Sequence, residues 1–260
     1  MTMMLKDYAV LGKELKDTFV VDVHTHIGSH NNYQRVGTDA DAIVHTMDRL
    51  GVNKVLCSNS PGAYSDFRWG NEIAAQAHAK YPDRILALAV GSPHYPNVDW
   101  DEYFVRDDRY FGMKAVPFVQ GEQPIYHEGL MNMYEYADKK GLAVLFHSWQ
   151  DSETRDAIKV AKRFPNAKFI LGHAGYTARE AAVEACKQCD NVILETTLSA
   201  PTEGDLEWIV SKVGADRVAY GSDLTAFECA HILGTILMAR LTETEKEKIL
   251  GLNAKEFFKL

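Results

Sequence analysis

Phe19-Val20-Val21-Asp22-Val23-His24-Thr25-His26 is the stretch whose reading decides the fold: an apolar run that passes directly into two histidines. The run has the length and β-branched content of a buried strand, with the histidines at its C-terminal end. Side chains alternate along a strand, so the spacing predicts Asp22, His24 and His26 on one face and Val23 and Thr25 on the other. Two imidazoles one strand repeat apart can close on a single metal ion. A histidine pair at the start of a surface loop reads the same way in isolation, so the decision passes to the other strands.

Working outward, apolar strands open near Val20, Lys54, Ile85, Gly112, Leu142, Lys168, Val192 and Arg217, with successive starts 24 to 34 residues apart. Helical patterns fill the intervals. Thr38-Asp39-Ala40-Asp41 reads as a capping box that opens a helix ending at Gly51. Gly141 and Gly214 stand where helix-terminating glycines belong, and Pro82 and Pro165 stop two further helices. Strands alternating with helices at this spacing mean right-handed βαβ units and a parallel sheet. Eight units predict an α/β chain folded as a single (β/α)8 TIM-type barrel over residues 1–260, with a doubly wound open sheet as the alternative. The length of 260 residues suits a barrel of about 250. The longest irregular stretches, Ser58 to Trp69, Gly91 to Val98 and Pro117 to Tyr126, follow the second, third and fourth strands, where they would rim a catalytic face.

A net charge of −8 gives no electrostatic footprint for nucleic acid or an anionic membrane. Met1 to Thr18 mixes charges through its apolar residues and holds no uninterrupted signal-type segment. Runs such as Ile85 to Val90 are too short to span a bilayer. The expectation is a soluble, cytoplasmic protein. Its four cysteines do not make a disulfide framework, and Cys186-Lys187-Gln188-Cys189 falls near the end of a predicted helix rather than at its start. They read as structural.

Chemistry collects at the predicted strand ends. Strand one ends in His24 and His26, strand four carries Lys114, strand five ends in His147 and strand six in His173. Strand seven carries Glu195, and strand eight ends Tyr220-Gly221-Ser222-Asp223. Barrel active sites are built at these C-terminal ends, so the coincidence of position turns a weak motif into a metal-site expectation. His147 and His173 could instead be core histidines, Asp223 a helix cap, and Glu195 a supporting group, a substrate contact or a neutralised barrel residue. Arg68, in the stretch after strand two, is a candidate for gripping a substrate carboxylate.

Asp-x-His-x-His on strand one, His on strands five and six, and Gly-Ser-Asp on strand eight resemble the amidohydrolase superfamily, in particular its decarboxylase-like amidohydrolase-2 branch. The tail from Gly214 to Asp223, followed by Glu245 to Leu250 and Asn253-Ala254, is similar to that branch's C-terminal signature. The resemblance implies His24, His26, His147 and Asp223 as ligands of one divalent metal, most often zinc. It implies Asp223 and His173 as catalytic residues, with Lys114, Arg68 and Glu195 as candidate substrate contacts. The implied partner is a small molecule carrying a carboxylate, with no nucleic acid and no membrane; a homo-oligomer is left open.

The first functional expectation is hydrolysis of a small amide, lactone or ester by metal-activated water. The alternative is non-oxidative decarboxylation of a small unsaturated or aromatic acid, and some relatives resemble hydratases. A related metal-dependent deoxyribonuclease family shares the opening motif, but Lys114 and Ser222-Asp223 depart from its pattern, and the acidic balance offers DNA little attraction. An inert metal-binding barrel is the last alternative. Were Lys114 carboxylated, it could bridge two metals; a free ammonium and one metal is the favoured reading.

Overall fold

The computed structural model describes residues 3–30, 36–104, 108–197 and 202–260. Eight parallel strands follow one another in spatial order: β1 (Val21–Ile27), β2 (Lys54–Asn59), β3 (Ile85–Val90), β4 (Tyr110–Ala115), β5 (Ala143–His147), β6 (Lys168–Gly172), β7 (Val192–Glu195) and β8 (Val218–Ala219). The (β/α)8 expectation is met, and the open doubly wound order is not. β1 and β8 share no ladder, but backbone bonds close the curled sheet at this seam. Val23 N donates to Tyr220 O (2.9 Å), Asp223 N donates to His24 O (2.7 Å), and Thr25 bridges to Leu224.

Helices return the chain between strands. α1 (Leu5–Leu11) precedes the barrel; α2 (Ala40–Leu50), α3 (Ser60–Tyr64) with α4 (Phe67–Lys80), and α5 (Trp100–Phe104) follow β1, β2 and β3. α6 (Met131–Lys140), α7 (Asp151–Arg163), α8 (Arg179–Gln188) and α9 (Asp205–Val213) follow β4 to β7, and α10 (Cys229–Met238), α11 (Glu243–Glu247) and α12 (Asn253–Phe258) complete the chain. The cap of α2 is Asp39, whose side chain accepts from Ala42 N, rather than Thr38. Gly51 ends that helix at φ +79°, and a Cβ there would collide with the backbone of Leu15. The stretch after β2 is not irregular as expected: Asn59 and Asp66 cap α3 and α4, which fold it into two helices.

Two apolar layers flank the sheet. The outer one lies between strands and helices. The inner one fills the lower barrel with Val21, Val23, Leu56, Leu88, Leu145, Ile170 and Ile193, and Ala254 and Phe258 of α12 plug its N-terminal end. Val21 and Val23 enter this inner layer by simple alternation, and a register shift in β1 between Asp22 and Thr25 lets the next residue, His24, face the interior as well. The shift breaks the expected alternation. Val23 and His24 both contribute to the interior, whereas the carboxylate of Asp22 turns to Ser222 at the seam.

Candidate active site at the barrel mouth

His24 and His26 leave β1 at the C-terminal end of the barrel and meet Asp223, which follows β8. His26 Nε2 stands 2.8 Å and His24 Nε2 3.8 Å from Asp223 Oδ1, and the two Nε2 atoms are 3.2 Å apart. Each imidazole is held from behind. Glu195 Oε1 accepts from His24 Nδ1 (2.9 Å), and Ser58 Oγ accepts from His26 Nδ1 (2.8 Å) while donating to Thr25 O (3.3 Å). With both Nδ1 protons so used, both Nε2 atoms carry lone pairs: that of His26 faces Asp223, and that of His24 accepts from Lys114 Nζ (3.0 Å).

Three acceptors converging in this way repel one another unless a cation lies among them, and the Lys114 ammonium on His24 Nε2 offsets that repulsion only in part. Asp223 Oδ1 is buried and makes no hydrogen bond despite these short approaches. The donor set, two imidazoles and a carboxylate, therefore fits a divalent metal ion. His24, His173 and Glu195 also lie close together, but Glu195 is occupied there as an acceptor from His24 Nδ1, from His173 N and from Thr197 N (2.7 Å).

Of the four expected ligands, the structure brings three within coordinating reach of one another. His147 lines the same cavity, but its Nδ1 faces His173 Nε2 at 3.1 Å, which leaves it outside the His24–His26–Asp223 cluster. His173 and Asp223 adopt left-handed backbone (φ +64° and +58°), as does Ala174 at +40°; such strain gathers at functional sites.

Burial drives the electrostatics. Desolvation, then the Lys114 charge, hold His24 well below the usual imidazole range; desolvation and His173 do the same to His147. Desolvation and His24 lower His173 to about 3. All three are neutral at pH 7 and available as ligands or hydrogen-bond partners. Burial pushes Asp223 up, but the neighbouring His26 and His24 outweigh it and keep it ionised. Burial raises Asp22 to about 7 against its bonds from Ser222 and His24 N, and raises Glu195 as well.

Lys114 is 2% exposed, and its Nζ donates to His24 Nε2 (3.0 Å). Desolvation lowers it to about 8, against the pull of Asp223 and Glu195. Above these groups opens a cavity of about 280 Å³ walled by Tyr64, Phe118, Val119, Trp149 and Phe227. Among its described lining residues, Lys114 alone is a lysine or arginine.

Two expected substrate contacts lie elsewhere. Arg68 sits in the first turn of α4, where the Asp66 cap fixes the helix entry; its exposed guanidinium lies 5.7 Å from the Phe67 ring, and it does not line the cavity. Glu195 is fully buried behind His24 and also outside the cavity lining, because its acceptor capacity is spent on His24, His173 and Thr197. Sequence reasoning missed Ser58 and Trp149. Ser58 stands at the end of β2, where the rule that found the histidines would also have found it had uncharged residues been counted. The glycine of the Gly-Ser-Asp motif has a packing reason that the sequence does not show: a Cβ on Gly221 would strike the Glu195 carboxylate.

The family model described as Amidohydrolase matches residues 21–260. No curated protein matches the chain. Among solved structures, 2,6-dihydroxybenzoate decarboxylase from Rhizobium superposes with a TM-score of 0.73 at 17% identity, covering 94% of this chain and 99% of that one. The 5-carboxyvanillate decarboxylase from Sphingomonas paucimobilis gives 0.70 at 16%, covering 94% and 100%. A dihydroxybenzoic acid decarboxylase from a Polaromonas species, solved with manganese and the inhibitor 2-nitroresorcinol, gives 0.72 at 16%, covering 94% and 97%. At these identities the likeness is one of fold.

Proposed function

The chain belongs to the amidohydrolase family, and from that premise we propose that it is a divalent-metal-dependent lyase removing carbon dioxide from a small unsaturated or aromatic carboxylic acid. The observation that carries this reading is Lys114, a buried cation 3.0 Å from His24 Nε2 on the floor of an aromatic-walled cavity. A substrate carboxylate would neutralise it and the metal together. The decarboxylases of the same fold support the choice. Hydrolysis of a neutral amide, lactone or ester, the first expectation from sequence, brings no further anion to that buried ammonium, whose nearby carboxylates Asp223 and Glu195 are already engaged with the histidines.

His24, His26 and Asp223 would hold the ion, with His147, the fourth member implied by the family resemblance, lining the same cavity. When bound, the ion supplies a Lewis acid for the substrate's oxygens. Lys114 pairs its ammonium with the carboxylate and keeps it against the aromatic walls. Asp223 relays a solvent proton to the carbon that bears the carboxylate. The bond to carbon dioxide then breaks, its electron pair restores the unsaturated system, and one proton has replaced one carbon dioxide. His173, neutral, donates a hydrogen bond to charge developing on a substrate oxygen. Lys114 acts as an uncarboxylated ammonium beside one metal, and zinc or manganese suits the donors.

Protein reconstituted with zinc or manganese is assayed in heavy water against 2,6-dihydroxybenzoate, 5-carboxyvanillate and simple cinnamates, beside a panel of lactones, esters and amides. The reading expects carbon dioxide release with deuterium at the vacated carbon. Turnover of a lactone, ester or amide with no acid decarboxylated overturns it.

A further inference from the structure

Asp22 and Ser222 belong to the two motifs that flank the metal-binding groups, yet neither lines the cavity and the chemistry above uses neither. Both are buried, at 1% and 0% exposure. Asp22 Oδ1 accepts from Ser222 N (3.0 Å) and from His24 N (3.1 Å), and its Oδ2 accepts from Ser222 Oγ. Ser222 Oγ in turn accepts from Leu224 N (3.0 Å). The residues on either side of Asp223 are thus tied into one chain of bonds that begins on β1 and includes the backbone of His24.

The need for such a tie is visible in the topology. β8 is two residues long, and its ladder with β7 stops at Ala219. Asp223 lies four residues beyond, in a left-handed conformation (φ +58°) that a non-glycine residue keeps only when its surroundings impose it. Its own N–H is taken by His24 O, and the bonds to Asp22 and Ser222 secure its neighbours. Residue type matters as much as place. A carboxylate can accept from all three donors, whereas an amide would turn an N–H toward one of them. A serine hydroxyl both donates to Asp22 and accepts from Leu224, which alanine cannot do.

We propose that Asp22 and Ser222 form one positioning pair that sets Asp223 against His24 and His26, and so fixes the affinity of the metal site. The proposal rests on the reading that these three residues hold the ion. A seam that merely staples the barrel would make the same contacts, but its loss would lower stability without changing the affinity of the folded protein for metal.

The test uses the full-length chain carrying Asp22→Asn, Ser222→Ala, both together, or Ser222→Thr. Zinc and manganese affinities are measured by competition with a chromophoric chelator, and amide exchange of the metal-free proteins is followed over 218–226 and 143–147. Each disruptive single variant is expected to weaken the ion by about 10- to 100-fold. The double variant should be no worse than the weaker single one, since the two act as a unit. Ser222→Thr should restore parental affinity, and exchange should accelerate over 218–226 but not over 143–147. Variants that melt lower yet bind metal like the parent overturn the proposal. A parent that takes up neither ion overturns the metal reading instead; the exchange data then judge the pair, and unchanged protection over 218–226 rejects it.

Discussion

The two ends of this barrel are built from the same strands and do opposite work. On β5, Leu145 packs in the inner apolar layer, and two residues further on, about 7 Å along the strand, His147 lines the cavity. On β7, Ile193 packs in the same layer, and two residues further on Glu195 supports His24 from behind. The floor is closed by Ala254 and Phe258, packed on the inner apolar layer. The mouth buries Lys114, Asp22, Asp223 and Glu195 and holds His173, Ala174 and Asp223 in left-handed backbone among its buried groups, whereas the left-handed residue at the floor, Lys259, is an exposed helix end. Burial of apolar surface stabilises the first region, while desolvated charge and strain destabilise the second. Function is thus concentrated where the fold is under the most tension, and stability where the chain is chemically inert.

The sharpest way to break this division is to exchange the consequences of substitution at the two ends. His24→Ala should abolish most metal binding and lower turnover by more than the roughly 100-fold expected for losing an outer partner. The metal-free form should be nearly as stable as the parent. Leu145→Ala should do the reverse, costing about 2–5 kcal/mol of stability while the folded fraction keeps its full metal complement. Elemental analysis and urea unfolding of the metal-free proteins check both. A His24→Ala protein that retains metal would show that the ligand assignment is wrong.

Lys114→Met should have the next largest effect. Loss of a charge-assisted bond to the substrate carboxylate is expected to lower kcat/KM by roughly 10- to 150-fold. The metal-free variant should be no less stable than the parent, since the substitution removes a buried ammonium that desolvation already disfavours. Metal stoichiometry should stay at one per chain in both proteins, with or without added bicarbonate. Two ions in the parent, falling in the variant, would replace the ammonium by a bridging carboxylated lysine.

Much of this comparison was legible in the sequence, because strand starts and strand ends are local events. The expected start at Lys54 agrees with the observed one, as do those at Ile85, Lys168 and Val192, and β4 begins two residues before the expected Gly112. The expected strand-end residues from His24 to Asp223 do reach the mouth, because position along a parallel strand decides which end a side chain occupies. What stayed hidden depends on contacts between strands. The register shift in β1 is seen in its pairing with β2 and lets Val23 and His24 both face inward, which strict alternation excludes. Glu195 stays open between a supporting and a substrate role because a strand-end carboxylate looks the same in sequence whether it faces the cavity or the back of a histidine. Arg68 was misplaced because Asn59 and Asp66 each cap a helix in a stretch that reads as loop.

The smallest predicted effect concerns His173 and is a slope rather than a loss. Burial and His24 lower its imidazole to about 3 from 6.5. Between those values the unfolded chain binds a proton that the folded chain does not, so the group makes stability rise with pH across this window and fall on acidification below about 6.5. His24 and His147 act in the same direction, whereas Asp22, raised from 3.8 to about 7, acts against them over much of the same range. The parental slope therefore sums opposing groups, and only a difference isolates one of them. His173→Asn removes a single protonation, and asparagine tolerates the left-handed backbone found at φ +64°. Urea unfolding of the metal-free proteins between pH 4.5 and 6.5 should show the variant's acid limb shallower by about one proton, close to 1.4 kcal/mol per pH unit. Parallel limbs would mean that folded His173 already carries its proton, and the neutral hydrogen-bonding role proposed for it at the mouth would have to be abandoned.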